Sequence, residues 1–354
     1  MRSWTSLPLI FLCVGAVNAV LADDLETKPA QETKEPAPNS ADEPIAKEFS
    51  LKAAAQFLDA VSLSWTRKRK CGTCHTNYAY LFARPAVKGE PSAAMAEVRG
   101  FFENRARNWD TAKPLWDTEV VATAVALSVN DAAATGRLHP ATRIALDRMW
   151  TLQREDGSWD WLKCNWPPME HDDYFGAVYA AVGVGSAPEG YSSSDAAKAG
   201  VEKLRSYLRK NPAPDLHHKA MLLWASTKLE GLLDSAERER VAKDLLALQK
   251  ADGSWSVHSL ASWKRHDGSA NQAAEGDAYG TAFVAHVLGQ TRIGEAKSAI
   301  AKASEWLRKH QRESGRWFVR SPSSDDHHFI SHAATAYAVL VLSAASSDKP
   351  AAGD

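Results

Sequence analysis

Three things are scarce in this chain, and each scarcity narrows what it can be. Alternation of apolar and polar residues with period two never persists over several residues, so there is little from which to build a sheet. Cysteine is rare, with four in 354 residues. Cys13 lies in the leading apolar stretch, which leaves Cys71, Cys74 and Cys164; an odd number argues against a disulfide framework. Excess charge is also missing. Lys plus Arg number 42 against 43 Asp plus Glu, a formal net charge of −1, so nothing in the balance prepares the chain for nucleic acid. The one basic cluster of note, Arg67-Lys68-Arg69-Lys70, reads as a solvated helix end, with contact to an anionic group or an acidic partner as the sharper alternative.

What is present begins with a stretch resembling a secretory signal. Arg2 supplies charge, Leu7 to Val17 is apolar, and Val20-Leu21-Ala22 offers small residues before Asp23. The run is too short for a stable bilayer anchor, so residues 1–22 are expected to be removed and the mature chain to be periplasmic or otherwise exported, with no membrane anchor. Residues 23–49 carry Pro29, Pro36, Pro38 and Pro44 among charged residues, with no aromatic before Phe49; a disordered linker is expected, and a similar tail over 346–354. The 45% hydrophobic content supports a proper core in between.

Residues 50–345 repeat. Gln153-x-x-x-Gly157-x-Trp159, Gln249-x-x-x-Gly253-x-Trp255 and Gln311-x-x-x-Gly315-x-Trp317 share one spacing. Each follows an amphipathic helical stripe, such as Val201, Leu204 and Leu208, and leads to a segment apolar around most of its circumference. The first kind of helix covers a core; the second is buried inside one. Outer helices start near Leu51, Ala93, Pro140, Asp195, Ala236 and Glu295, and inner ones near His75, Asp117, His171, Asp215, Asp277 and His327. Six such hairpins predict an all-α fold, an (α/α)6 toroid.

The Gln-x-x-x-Gly-x-Trp repeats resemble the QW motifs of the squalene–hopene cyclase and prenyltransferase superfamily, over residues 50 to 345. The resemblance implies that the three tryptophans are structural and that a small-molecule ligand sits in the central cavity. Ahead of the repeats stands Cys71-Gly72-Thr73-Cys74-His75, the attachment signature of a c-type haem, with both thiols on one helical turn and His75 as proximal ligand. Surface dithiol and half a zinc site are the plainer readings. Followed by Thr76, Tyr80 and Ala83-Arg84-Pro85, the motif resembles exported proteins of bacteria rich in c-type haem. Covalent haem c is therefore the expected cofactor, with redox or electron-transfer function, small-molecule haem chemistry, or a periplasmic redox partner to match.

Inner helices of such a ring run the same way, which gathers their N-termini at one mouth. His171, His217, His218, His327, His328 and His332 then approach His75. Aspartate is a favoured N-cap, which accounts for the acids there but not for the His-His pairs. His171, His217, His218, His328 and Met169 are the candidate sixth ligands. A cyclase reading competes: Glu170-x-Asp172-Asp173 resembles the Asp-x-Asp-Asp acid of these cyclases, making Asp172 the proton donor, with Glu170 and Asp173 holding it protonated. Glu stands here for the first Asp, and Tyr174 follows where the family has Thr. Zinc held by Cys164, His171, Asp172 or a His-His pair is a third reading; the family's Asp-x-Cys zinc ligands map to Asp277-Ala278-Tyr279, where Tyr replaces Cys. Cys164 by itself reads equally as an inert thiol.

Overall fold

The computed structural model describes residues 36–88, 92–110, 117–269 and 275–347. The expected signal segment, residues 23–35 of the expected linker and residues 348–354 of the expected tail lie outside these. Among the described residues, twelve α-helices alternate between two layers. The outer set is α1 (Leu51–Arg69), α3 (Ala93–Arg107), α5 (Pro140–Thr151), α7 (Asp195–Lys210), α9 (Ser235–Ala247) and α11 (Ala296–Lys309). The inner set is α2 (Asn77–Ala83), α4 (Asp117–Ala134), α6 (Asp173–Ser186), α8 (Leu216–Ser226), α10 (Ala278–Thr291) and α12 (Ile330–Ser347). Among the described residues there are isolated bridges but no strand, and no helix is long and apolar enough to cross a membrane. The chain is an all-α toroid of six hairpins.

Local chemistry explains the two layers. In α7 the buried residues are Ala197, Val201, Leu204 and Leu208, one stripe on an otherwise charged helix. In α6 every residue from Tyr174 to Val184 is buried, as an inner helix requires. Asp172, Asp215 and Asp277 each cap an inner helix, accepting from the backbone N–H of Phe175, His218 and Gly280.

The Gln-Gly-Trp repeats are staples between outer helices. Gln153 Nε2 donates to Gly157 O and across to Gly200 O on α7. Gln249 does the same to Gly253 O and Ala299 O on α11. Gln311 bonds Gly315 O and Ser50 O, and its Oε1 accepts from Ser50 N–H, which joins the last repeat to the first and closes the ring. Trp159, Trp255 and Trp317 are fully buried, each donating Nε1–H to a carbonyl of the preceding outer helix.

Two expectations need correction. Residues 36–49 are an ordered strap, not a disordered linker. Arg316 holds it, donating to Ala37 O, Pro38 O and Asn39 Oδ1 and pairing with Glu43 at 2.6 Å; Ala46 N–H adds a backbone bond to Gln311 O. Composition gave the wrong answer because the strap rests on a surface supplied by another repeat. Second, Cys71 to Thr76 do not lie on a helix: they form a turn ahead of α2, fixed by Asn77, whose Oδ1 accepts from Thr73 N–H and whose Nδ2 donates to Cys71 O.

Candidate functional site

The N-termini of the inner helices share one end of the ring. Asp172, capping α6, meets His218 of α8; His217 of α8 meets Tyr279 of α10; Thr76, before α2, meets His332 of α12. At this mouth lies a cavity of about 420 Å³, within the size range of small-molecule sites. Trp65, Cys71, His75, Met169, Glu170 and His327 are among its lining residues, and Phe329 forms part of its wall.

The cysteine motif enters this cavity only in part. Cys71 and His75 line it, whereas Cys74 is buried. Burial pushes the thiol pKa of Cys71 up and that of Cys74 well up, so both sulfurs are protonated thiols. A Cβ at Gly72 would run into the ring and hydroxyl of buried Tyr78, which would have to move. The His75 ring stacks on Phe329 (centroids 5.4 Å apart) and meets Trp65 edge-on. Burial lowers its pKa to about 4, leaving a neutral imidazole. Its Nε2 is 2.9 Å from Thr73 Oγ1 and its Nδ1 3.0 Å from Thr76 Oγ1.

The candidate sixth ligands disperse. Met169 lines the cavity. His217 is fully buried, stacked on Phe283 at 4.6 Å, with Nε2 at 3.1 Å from Tyr279 Oη. His218 is enclosed by two carboxylates, and His328 accepts from Ser321 N–H through Nδ1. His171, half-buried, is not among the residues lining the cavity. His217, His218 and His328 are thus turned to partners of their own, which helical register alone does not reveal. His327 does line the cavity, and its ring stacks on the far neighbour of His75, Phe329; its place among the six mouth histidines was the only signal for it. Among the described residues no three His, Cys, Asp or Glu side chains are grouped to hold a metal ion, so the zinc reading finds no ready ligand set.

The acidic segment splits three ways. Glu170 is set by a two-bond bridge to Trp166 and faces the cavity, where burial raises its carboxyl to about 7. Asp172 lies 3.2 Å from His218 Nε2, and Asp215 lies 2.7 Å from His218 Nδ1. Burial alone would lower His218, but the two carboxylates outweigh it and push it to about 9. Burial alone would raise Asp172, yet the imidazolium more than cancels this and holds it below the ordinary carboxylate value. Asp173 turns the other way, to Lys163 at 2.8 Å and Arg154 at 3.0 Å. The expectation that Glu170 and Asp173 keep Asp172 protonated is therefore corrected: its neighbour is a cation, and it rests ionised at neutral pH.

Behind the array the ring axis is aromatic. Phe82, Tyr179, Phe175, His217, Phe283, Tyr337 and Trp224 form a closed circuit, each ring centroid within 6.3 Å of the next.

The buried histidines predict a dome in stability against pH. His218, raised to about 9, binds a proton more tightly folded than unfolded, so its contribution is full below pH 6.5 and disappears as pH rises through 9. That shift corresponds to at most about 3 kcal/mol. Burial lowers His217, His286 and His332 to about 3 and His75 to about 4, so their neutral forms favour folding above pH 6.5 and oppose it as pH falls towards those values. Denaturant melts from pH 4 to 10 should peak between about 6.5 and 8. The limb above pH 8 should flatten in His218→Gln; an unchanged limb would remove His218 as its source.

No family model matches the chain, and no curated protein does. Among solved structures, the fold is similar to ent-copalyl diphosphate synthase from Streptomyces platensis, with TM-score 0.52 and 19% identity over 76% of this chain and 50% of that one. It is similar as well to the type II terpene cyclase MstE from Scytonema, with TM-score 0.51 and 14% identity over 84% of this chain and 99% of that one. The chain thus spans half the length of the first and essentially all of the second. At these identities the likeness establishes a terpene-cyclase-like α/α toroid.

Proposed function

We propose that the chain is a cyclase-like enzyme that starts its reaction by protonating an alkene in an apolar, isoprenoid-type substrate, with Asp172 as the donor. The observation that carries this reading is the Asp172–His218–Asp215 array at the mouth of the toroid. Alkene protonation needs a strong acid. An aspartic acid facing an imidazolium is stronger than a free one, because losing its proton creates the ion pair. Asp215 on the far side keeps His218 charged. The step balances simply: the Asp172 proton goes to one alkene carbon, the cation forms on the other, and water recovers a proton at termination. Phe82, Tyr179, Phe175 and Trp224 make the interior behind the array aromatic, a setting whose π-electron density favours such a cation. The acid works from a minor protonated population, so turnover should climb as pH falls below neutral.

The test is incubation of purified protein with linear polyprenyl substrates in D2O, read by mass spectrometry. One solvent deuterium in a cyclised or isomerised product is expected. Recovery of unchanged substrates of every chain length would end this reading.

A second reading, covalent haem c, is favoured by the lining of the cavity. Cys71 and His75 face the same space as Met169 and His327, and His75 is neutral, as a metal ligand must be. The fit is incomplete, since Cys74 is turned inward and would have to emerge. When bound, the group would supply one-electron chemistry. Periplasmic expression with haem-maturation machinery, followed by a haem stain on a denaturing gel, is expected to give a stained band on this reading; Cys71→Ala/Cys74→Ala should abolish it. An unstained wild-type band would remove haem.

A further inference from the structure

The strap reaches the cysteine motif through a continuous hydrogen-bond chain whose polarity is determined at one end. The amide of Asn39 has a fixed orientation. Its Oδ1 accepts from Arg316 Nη1 at 2.9 Å, and its Nδ2 donates to His327 O at 3.1 Å. Flipping the amide would set donor against donor and acceptor against acceptor. Nδ2 also lies 3.2 Å from His332 Nε2, so that nitrogen must accept. Neutral His332 then carries its proton on Nδ1, 2.9 Å from Thr76 Oγ1. Thr76 accepts there and passes its own hydroxyl hydrogen to His75 Nδ1 at 3.0 Å. That leaves the His75 proton on Nε2, donated to Thr73 Oγ1 at 2.9 Å.

One other arrangement has both histidines donating to Thr76. It would strand the Thr76 hydroxyl hydrogen, because Thr76 is buried and its Oγ1 has only the two histidine nitrogens as partners. His332 has no other route to satisfy both ring nitrogens while Asn39 is docked.

We propose that the docked strap is a tautomer latch on His75: Asn39, acting through His332 and Thr76, holds the His75 proton on Nε2 and so denies that nitrogen to a metal. Undocking the strap, or removing the Asn39 donor, frees His332 to reverse. Its Nδ1 then accepts from Thr76, Thr76 accepts from His75 Nδ1–H, and Nε2, relieved of its proton, becomes an acceptor beside the Thr73 hydroxyl. No proton enters or leaves; each histidine exchanges one tautomer for the other. Asn39, His332 and Thr76 are thus positioning residues. The consequence for ligation rests on the haem reading, while the tautomer assignment does not.

Long-range 1H–15N correlation spectra of the full chain labelled in histidine, without haem, test the latch directly. Wild type should show His332 protonated at Nδ1 and His75 at Nε2. Asn39→Leu should move His332 towards Nε2–H and His75 towards Nδ1–H together, and Thr76→Val should uncouple the two with the strap still docked. A wild-type His332 protonated at Nε2, or a folded Asn39→Leu chain with both tautomers unchanged, would overturn the proposal. If Asn39→Leu does not fold, the wild-type tautomers and Thr76→Val decide it alone. Expression of Asn39→Leu with haem maturation is a separate readout. A higher covalent yield than wild type supports the latch acting on ligation, and an equal yield overturns that consequence. No haem on any variant ends the haem reading and leaves the tautomer result standing.

Discussion

Asp172→Asn should lower turnover of a polyprenyl substrate by about 10²–10⁴-fold while leaving the chain folded. Asparagine is as good an N-cap as aspartate, so the bond from Phe175 N–H to the side chain survives and α6 keeps its first turn. What disappears is the acid in contact with His218 Nε2. His218 retains Asp215, so its pKa should fall from about 9 without the ring leaving its place. Asp215→Asn tests the supporting role: Asp172 stays, but with His218 less charged its pKa rises, its acid strength falls, and the acidic limb of the pH profile moves up. Asp173→Asn should leave turnover near wild type: its charged partners are Lys163 and Arg154, and an asparagine Oδ1 can still accept from Trp161 N–H. Glu170 offers the sharpest contrast. Were it the donor, the profile would break near its own value of about 7 and Glu170→Gln would abolish turnover. An unaffected Asp172→Asn enzyme would transfer the role to Glu170 or remove the acid mechanism altogether.

Gly315→Ala should be among the most damaging single-methyl changes in the fold, alongside Gly157→Ala, which meets the same two costs against Lys203. Two costs coincide at Gly315. The backbone is at φ +92°, where an L-residue is strained by about 1–3 kcal/mol. The new Cβ would also run into the carbonyl carbon and oxygen of Ala53, which are backbone of α1 and cannot rotate away; overpacking of this kind costs about 1–3 kcal/mol. The combined loss is about 2–6 kcal/mol, and it falls on the joint where the sixth hairpin meets the first. Gly136→Ala is the control. Its φ is +67°, but nothing lies within 4 Å of the point its new methyl would occupy, so only the strain remains. Thermal melts of the two variants should therefore separate clearly, and protease should cut the Gly315→Ala strap first. Equal melting temperatures would mean that ring closure does not bear on stability.

Much of the architecture was legible because helical information is local. A stripe such as Val201, Leu204 and Leu208 marks one buried face wherever it stands, and the aspartates at 172, 215 and 277 mark helix starts by chemistry confined to four residues. The spacing of glutamine, glycine and tryptophan likewise announced a turn that folds over its own helix. The strap was misread for the converse reason. Its order depends on Arg316, which lies some way along the chain and contributes nothing to local composition.

At the mouth, the sequence by itself determined that acids and histidines begin the inner helices; only the tertiary structure decided which of them meet. Consecutive side chains on a helix diverge by about 100°, so neighbours in sequence serve different surroundings. His217 points into the aromatic axis and loses its charge, while His218 turns to Asp172 and Asp215 and keeps it. Ahead of α6 the turn into the helix does the separating: the bridge to Trp166 puts Glu170 in the cavity, the N-cap puts Asp172 on the imidazolium, and the first turn puts Asp173 on Lys163. Charge state, and with it chemistry, follows from what each side chain faces across the ring, and that partner is set by packing between hairpins rather than by the order of residues along the chain.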